Sequence, residues 1–167
     1  DGIFVVRSPK ARYRTRTVLL AIGRRGSPRT LDVAGEDLPK VTYRLADPER
    51  FAGQKVLVVG GGDSAVEAAV ACAGQARSVH LSYRGAALNR VKVKNRERLE
   101  QLRQSGRVAV MFSSEVTGIH PHHVDLRIGE ATQQLPNDAV IVSIGGVLPT
   151  DLLKSIGIRF ETKYGTK

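Results

Sequence analysis

The chain has 167 residues, an apolar fraction of 41% and a formal charge of +10, enough for one globular domain with pieces of a second and too apolar for a disordered tail. No apolar run approaches the ~18 residues that a membrane-spanning helix needs, and no secretory-type start is present. The single Cys72 excludes an internal disulfide and suits a reducing, cytoplasmic setting.

The excess of positive charge raises affinity for phosphate-bearing ligands, from dinucleotides to nucleic acid. It is concentrated before Arg29 and between Arg77 and Arg107. With Asp1 first, Met111 as the only methionine and KYGTK at the end, the sequence reads as an excerpt of a larger polypeptide.

In chain order, Gly2 to Ser8 and Tyr13 to Gly23 alternate apolar and polar residues around a Ser8-Pro9 turn, predicting two strands, the second running on through VLLAIG into a buried sheet. GRRGSPRTLDVAGEDLPKV then has the glycine, proline and charge content of a connection between domains. Next come strand, helix, strand, helix, strand: Lys55 to Val59, Ser64 to Ala73, Ser78 to Tyr83, Lys94 to Gln104 with Leu99 and Leu102 on one face, and Val108 to Phe112. This order predicts an α/β fold, a Rossmann-like three-layer domain with a parallel sheet.

From Glu115 the pattern shifts to short alternating strands, EVTGIH, HVDLRIG and ATQQL, predicting a β-meander beside that sheet. Ala139 to Ile144 is a last apolar strand. Thr150 or Asp151 then caps a short helix, and IRF starts a further strand. The expected organisation is residues 1–37 as partial strands of one domain with its connection, 38–146 as a nucleotide-binding domain, and 147–167 as a return segment.

The sequence KVLVVGGGDSAVEAAV carries the chemistry. Gly60, Gly62 and Ala65 fill G-x-G-x-x-A between a predicted strand and a predicted helix, the context this motif requires. Gly60 permits the tight turn, Gly62 leaves no side chain between backbone and pyrophosphate, and Ala65 lets helix and strand pack closely. The helix start then turns its free N–H groups toward the phosphates. The alternative is a glycine-rich connection inside a core.

An NAD-preferring site places an acid about 20 residues beyond the glycines, on the ribose 2′-OH. Here HLSYRGAALNR supplies none. Arg84 and Arg90 are instead placed to pair with a 2′-phosphate, and Tyr83 to cover the adenine, which favours NADP(H). The alternative for both arginines is an ordinary solvated loop.

These residues resemble the central part of a flavoprotein of the thioredoxin reductase type, within the pyridine nucleotide-disulfide oxidoreductases. VLLAIG resembles the strand closing the FAD domain, Gly35-Glu36-Asp37 the Pro-Gly-Glu element with Ala34 in place of proline, GGGDSAVEAA the NADPH motif, and SYRG the His-Arg-Arg element. SIGGVLPT resembles the return to the FAD domain, with Pro149 displaced. The resemblance implies two cofactors, NADP(H) and FAD. Gly60, Gly62, Asp63, Ser64, Ala65 and Glu67 would lie on the pyrophosphate and nicotinamide side, Arg84 and Arg90 on the 2′-phosphate, Ile144 and Gly145 at the cofactor's far edge, and Gly23 near FAD. It also leaves a homodimer open.

The departure is an absence. Thioredoxin reductases carry a Cys-x-x-Cys dithiol just before the NADPH motif, where TYRLADPERFAGQK has Arg44 and Asp47. Without thiols no local relay carries electrons from flavin to a disulfide. The remaining acceptors are ferredoxin, a low-molecular-weight disulfide, as in the bacillithiol disulfide reductase branch, or a fused domain. Reductase modules feeding iron–sulfur partners match as well, whereas the fingerprint of flavin monooxygenases is missing. A non-catalytic nucleotide-binding or regulatory domain of the same fold is the other class of function. No side chain is an evident acid, base or nucleophile.

Three further features have plainer readings. His120, His122 and His123, with Asp125, read as a solvated hairpin tip and not a metal site, because Pro121 interrupts them. Cys72, between alanines, reads as core packing. The basic helix KVKNRERLEQLRQ lacks interleaved aromatics, which argues against specific nucleic-acid binding.

Overall fold

The computed structural model describes residues 2–21, 28–45, 47–147 and 150–159. The chain divides into two compact units, one spanning Ser27–Val147 and the other drawn from both ends, Asp1–Gly26 and Leu148–Lys167.

In the terminal unit, β1 (Phe4–Arg7) and β2 (Arg12–Thr15) form an antiparallel hairpin. Ser8 closes it: its Oγ accepts from the Ala11 amide at 3.1 Å, and its own amide donates to the Ala11 carbonyl at 2.8 Å. The expected continuation of the second strand to Gly23 does not form across the described residues. β2 stops at Thr15, and Val18, Leu19 and Leu20 are exposed, Leu19 by 90%. An apolar run becomes a strand only where a neighbour takes its hydrogen bonds, and among the described residues none pairs with it.

The central unit begins with an ordered connection. Gly35, at φ +81°, packs so closely that a Cβ would collide with the Ile119 carbonyl. Glu36 accepts from the amides of Leu31 and Asp32 and from the Tyr43 hydroxyl. The Gly-Glu-Asp element is therefore a structural turn. It is followed by β3 (Val41–Thr42) and a 3₁₀ turn, Pro48–Phe51, both additional to the elements expected. Asp47 caps that turn by accepting from the Glu49 amide at 3.0 Å, and so has a structural task.

The alternation of β4 (Lys55–Val59), α1 (Asp63–Cys72), β5 (Ser78–Ser82), α2 (Val93–Gln104) and β6 (Val108–Met111) follows the predicted order within one or two residues. The meander is β7 (Ser114–Ile119), β8 (His123–Ile128) and β9 (Ala131–Pro136), and β10 (Ala139–Val142) returns to the parallel sheet. Strand order in that sheet is β3-β10-β4-β5-β6, all parallel. The chain thus winds outward from β4 to β6, then crosses back to β10 on the other side of β4. That reversal opens a crevice at the carboxyl ends of β4 and β10.

Both faces of the sheet are covered, which explains its continuous apolar strands. Val56, Val58, Leu81 and Ile141 pack against Ala65, Ala69, Cys72 and Leu99 of the helices. Leu57, Val59, Val140 and Val142 pack against Val116, Ile119, Val124 and Leu126 of the meander. Cys72 is fully buried, and burial pushes its thiol pKa up, as packing and not reactivity requires.

α3 (Thr150–Ser155) belongs to the terminal unit. Thr150 and Asp151, expected as its cap, are its first helical residues, and Ile158 and Arg159 form no strand.

Truncating Leu126 tests the layer order. Leu126→Ala should cost about 2–5 kcal/mol in urea denaturation, because its neighbours belong to two sheets and cannot both close on the void. An unchanged midpoint would show that the meander does not complete the core.

Candidate functional site

The crevice is built by close approach. At Gly60, φ +143°, a Cβ would collide with the Ser143 carbonyl and come within 3.0 Å of the Ala65 Cβ. The Gly60 amide donates to the Ser82 carbonyl at 2.9 Å, and the Ser143 amide to the Val59 carbonyl at 2.8 Å. The ends of β4, β5 and β10 are thereby tied together beneath the turn. Ala65, fully buried, seats α1 against that floor.

Gly62 is different. It precedes α1 with φ −108° and ψ 178°, a conformation open to any residue, and nothing lies within 4 Å of where its Cβ would be. Its carbonyl accepts the Ala65 and Val66 amides, while the first amides of α1 have no intrahelical acceptor. An unhindered backbone beside the positive end of a helix is a cradle for a phosphate. Ser64 and Glu67 lie exposed on the first turns of this helix.

Tyr83 braces the turn. Its ring fills the space beside Gly61, where a Cβ would collide with it, and stands 2.7 Å from a Cβ built on Gly85. The loop after β5 is held along its length. The Tyr83 amide donates to the Met111 carbonyl and the Ser113 amide to the Gly85 carbonyl, while Leu88 and Val91 are buried. Arg84 and Arg90 stay exposed, and neither joins a salt bridge among the described residues.

The sequence reading missed what fastens this loop to the glycine turn. Asp63 accepts from the Lys92 amide at 3.0 Å and from Asn95 Nδ2 at 2.7 Å, and Asn95 also donates to Glu67 at 3.0 Å. These bonds, the Lys92 amide first, hold the Asp63 carboxyl below its ordinary pKa. Asp63 and Glu67 therefore join the helix to the loop that carries both arginines. An asparagine near the start of a basic helix was the only trace of this in sequence.

On the β10 side, Gly145 has φ +92°, its carbonyl accepts from the Arg29 amide at 3.1 Å, and Gly146 bridges Pro28. Ile144 is half-buried against the meander side of the core. These two residues follow Ser143, whose carbonyl faces Gly60. Gly23 lies outside the described residues.

Comparison with known proteins agrees with this arrangement. The family model described as pyridine nucleotide-disulphide oxidoreductase matches residues 1–166. The chain belongs to that family. Among curated relatives, ferredoxin–NADP reductase of Ignicoccus hospitalis is 33% identical over 90% of this chain and 50% of its own. Bacilliredoxin reductase Bdr of Bacillus subtilis is 29% identical over 99% and 52%. Among solved structures, bacillithiol disulfide reductase Bdr from Staphylococcus aureus superposes with a TM-score of 0.86 at 28% identity, covering 98% of this chain and 51% of that one. This member of the pyridine nucleotide-disulphide oxidoreductases spans about half the length of the curated relatives it matches.

Asp63 offers a direct test of the fastening. Because its folded pKa is depressed, its contribution to stability is present above the ordinary carboxylate value of ~3.9 and is lost as pH falls through the lower folded value. Asp63→Ala should speed hydrogen exchange at the Lys92 amide, and its stability deficit should be constant from neutral pH down to about pH 4 and narrow only below it. Unchanged exchange at Lys92 would show that another contact holds the loop.

Proposed function

We propose that this chain is the NADPH-binding portion of a flavin-dependent oxidoreductase that passes electrons from NADPH through FAD to an acceptor reached without a thiol pair of its own. The observation that carries the reading is the open space at Gly62, beside a helix start and over a turn that needs glycine at Gly60. A buried connection would fill that space; a pyrophosphate site keeps it clear.

The residues fit the nucleotide. Gly60 to Ala65 would hold the pyrophosphate, Arg84 and Arg90 the 2′-phosphate, Tyr83 the adenine side, and Ile144 and Gly145 the far edge. Asp63 and Glu67 contribute by positioning the arginine loop. When bound, NADPH supplies the hydride and FAD accepts it, so the protein's task is orientation and electrostatics. The exposed apolar residues of the terminal unit, among them Phe4, Val5 and Leu19, support assigning it to a flavin domain whose main contacts lie in sequence beyond this chain. On that reading this stretch alone lacks turnover.

Arg44 and Asp47, where a dithiol would stand, favour ferredoxin or a low-molecular-weight disulfide as acceptor. The names of the Ignicoccus ferredoxin–NADP reductase and of the Staphylococcus bacillithiol disulfide reductase support these two classes of acceptor. A single buried Cys72, with no second cysteine in this sequence to pair with, is our ground for proposing a cytoplasmic setting.

Two substitutions separate the parts of this reading. Arg84→Ala in the full-length protein should lower NADPH affinity ~10-fold by titration and leave NADH affinity unchanged, as loss of a charge-assisted bond implies. Equal loss for both nucleotides would remove the 2′-phosphate assignment. Gly62→Ala should lower the melting temperature by only the few degrees that a poorer N-cap costs, yet weaken both nucleotides, because the added methyl meets no other protein group. A full-length protein that purifies colourless and takes up no flavin would instead be a binding module.

A further inference from the structure

On the outer face of the meander, far along the fold from the glycine turn, three metal-ligating side chains meet. The β7–β8 hairpin pairs Gly118 with Asp125 and Ile119 with Val124, and the His120 amide donates to the His123 carbonyl at 2.9 Å. Strand alternation then sends Ile119 and Val124 into the core, where they are 3% and 0% exposed, and puts Gly118, His120, His123 and Asp125 together on the opposite face. The register of this cluster is thus fixed by the burial behind it.

The geometry is convergent. His120 Nε2 lies 2.9 Å from Asp125 Oδ2 and His123 Nε2 lies 3.7 Å from Asp125 Oδ1. The two imidazoles stack with centroids 4.4 Å apart and planes 19° from parallel. One donor atom from each of the three residues lies within 4.8 Å of the others. A second observation concerns the fourth corner. A Cβ at Gly118 would stand 3.2 Å from Asp125 Oδ2 and 3.4 Å from His120 Nε2, so glycine keeps clear the space onto which the donors close. The β-bulge between Val116 and Gly118 brings that glycine into line.

We propose that His120, His123 and Asp125 form a binding site for a divalent transition metal of the zinc class, with its fourth position open to water. Two imidazoles and one carboxylate are a borderline donor set that suits zinc, with nickel and copper as competitors and magnesium and calcium disfavoured. Tetrahedral bonds of ~2.0–2.2 Å hold donors roughly 3.3–3.5 Å apart, so the His120–Asp125 pair at 2.9 Å would open slightly and the wider pairs, none beyond 4.8 Å, would close by at most about 1.5 Å. His122, whose side chain is exposed, takes no part. The ion would cross-link both strands of the hairpin and act as a staple on the meander, separate from nucleotide binding.

The test is calorimetric titration of the metal-stripped full chain with zinc chloride alone, paired with thermal melts. The expected result is one saturable site, at least ~10-fold weaker in His123→Ala and in Asp125→Asn and unchanged in His122→Ala. Zinc should raise the melting temperature of wild type and of His122→Ala only, since an ion bound to the native state stabilises it by mass action. Asp125→Asn keeps the side-chain shape, and circular dichroism of each variant shows that it is folded. Absence of saturable binding to the wild type would overturn the proposal, leaving a hydrogen-bonded His–Asp–His group. Binding that survives both ligand substitutions, or that is lost in His122→Ala, would overturn it equally.

Discussion

The contact between Gly60 and the Ser143 carbonyl sets the form of everything near the crevice. Two parallel strands can lie side by side with a turn above them only if that turn carries no side chain at the point of closest approach. β4 leads into the turn and β10 runs beside it, although 83 residues separate Gly60 from Ser143. Because β10 lies on the opposite side of β4 from β5, the connections diverge there and leave an opening. Ala65 and the Gly60 amide then fix the start of α1 over the opening. A side chain at Gly60 would push strand, turn and helix apart together.

From that contact, charge is distributed with economy. The first turn of α1 carries the acidic Asp63, which would compete with an anionic ligand were it free. Its carboxylate is instead occupied by the Lys92 amide and Asn95. The same bonds tether the end of the loop that bears Arg84 and Arg90 to the start of α1. Other basic residues of the Arg77–Arg107 stretch have structural work: Arg107 donates to the Ala73 carbonyl at the end of α1, and Arg103 pairs with Glu100 at 2.7 Å. Part of the positive charge of this stretch therefore serves the fold.

Legibility in the sequence followed distance along it. Gly60 and Ala65 are neighbours, and a turn's requirements are local, so the tight turn and the close helix packing were readable before any fold was known. The alternation of β7 and β8 was equally plain, because period-two burial is written residue by residue. VLLAIG misled for the converse reason. Its composition suits a strand, but strand formation depends on partners elsewhere, and β2 stops at Thr15. β3, only Val41 and Thr42, was too short to register and exists because β10 offers it an edge.

The sequence by itself determined the α/β order, the glycine turn between β4 and α1, and the lack of an acid just after β5 and of a cysteine pair before β4, since each is a matter of adjacent residues and their chemistry. Only the tertiary structure decided which side chains meet. It joined Asp63 to Asn95 across two helices, placed Tyr83 against Gly61, and gathered His120, His123 and Asp125 while leaving out His122. Those pairings depend on strand register and helix packing, which are set by the burial of residues such as Ile119, Val124 and Leu99, and register is a property of the whole core.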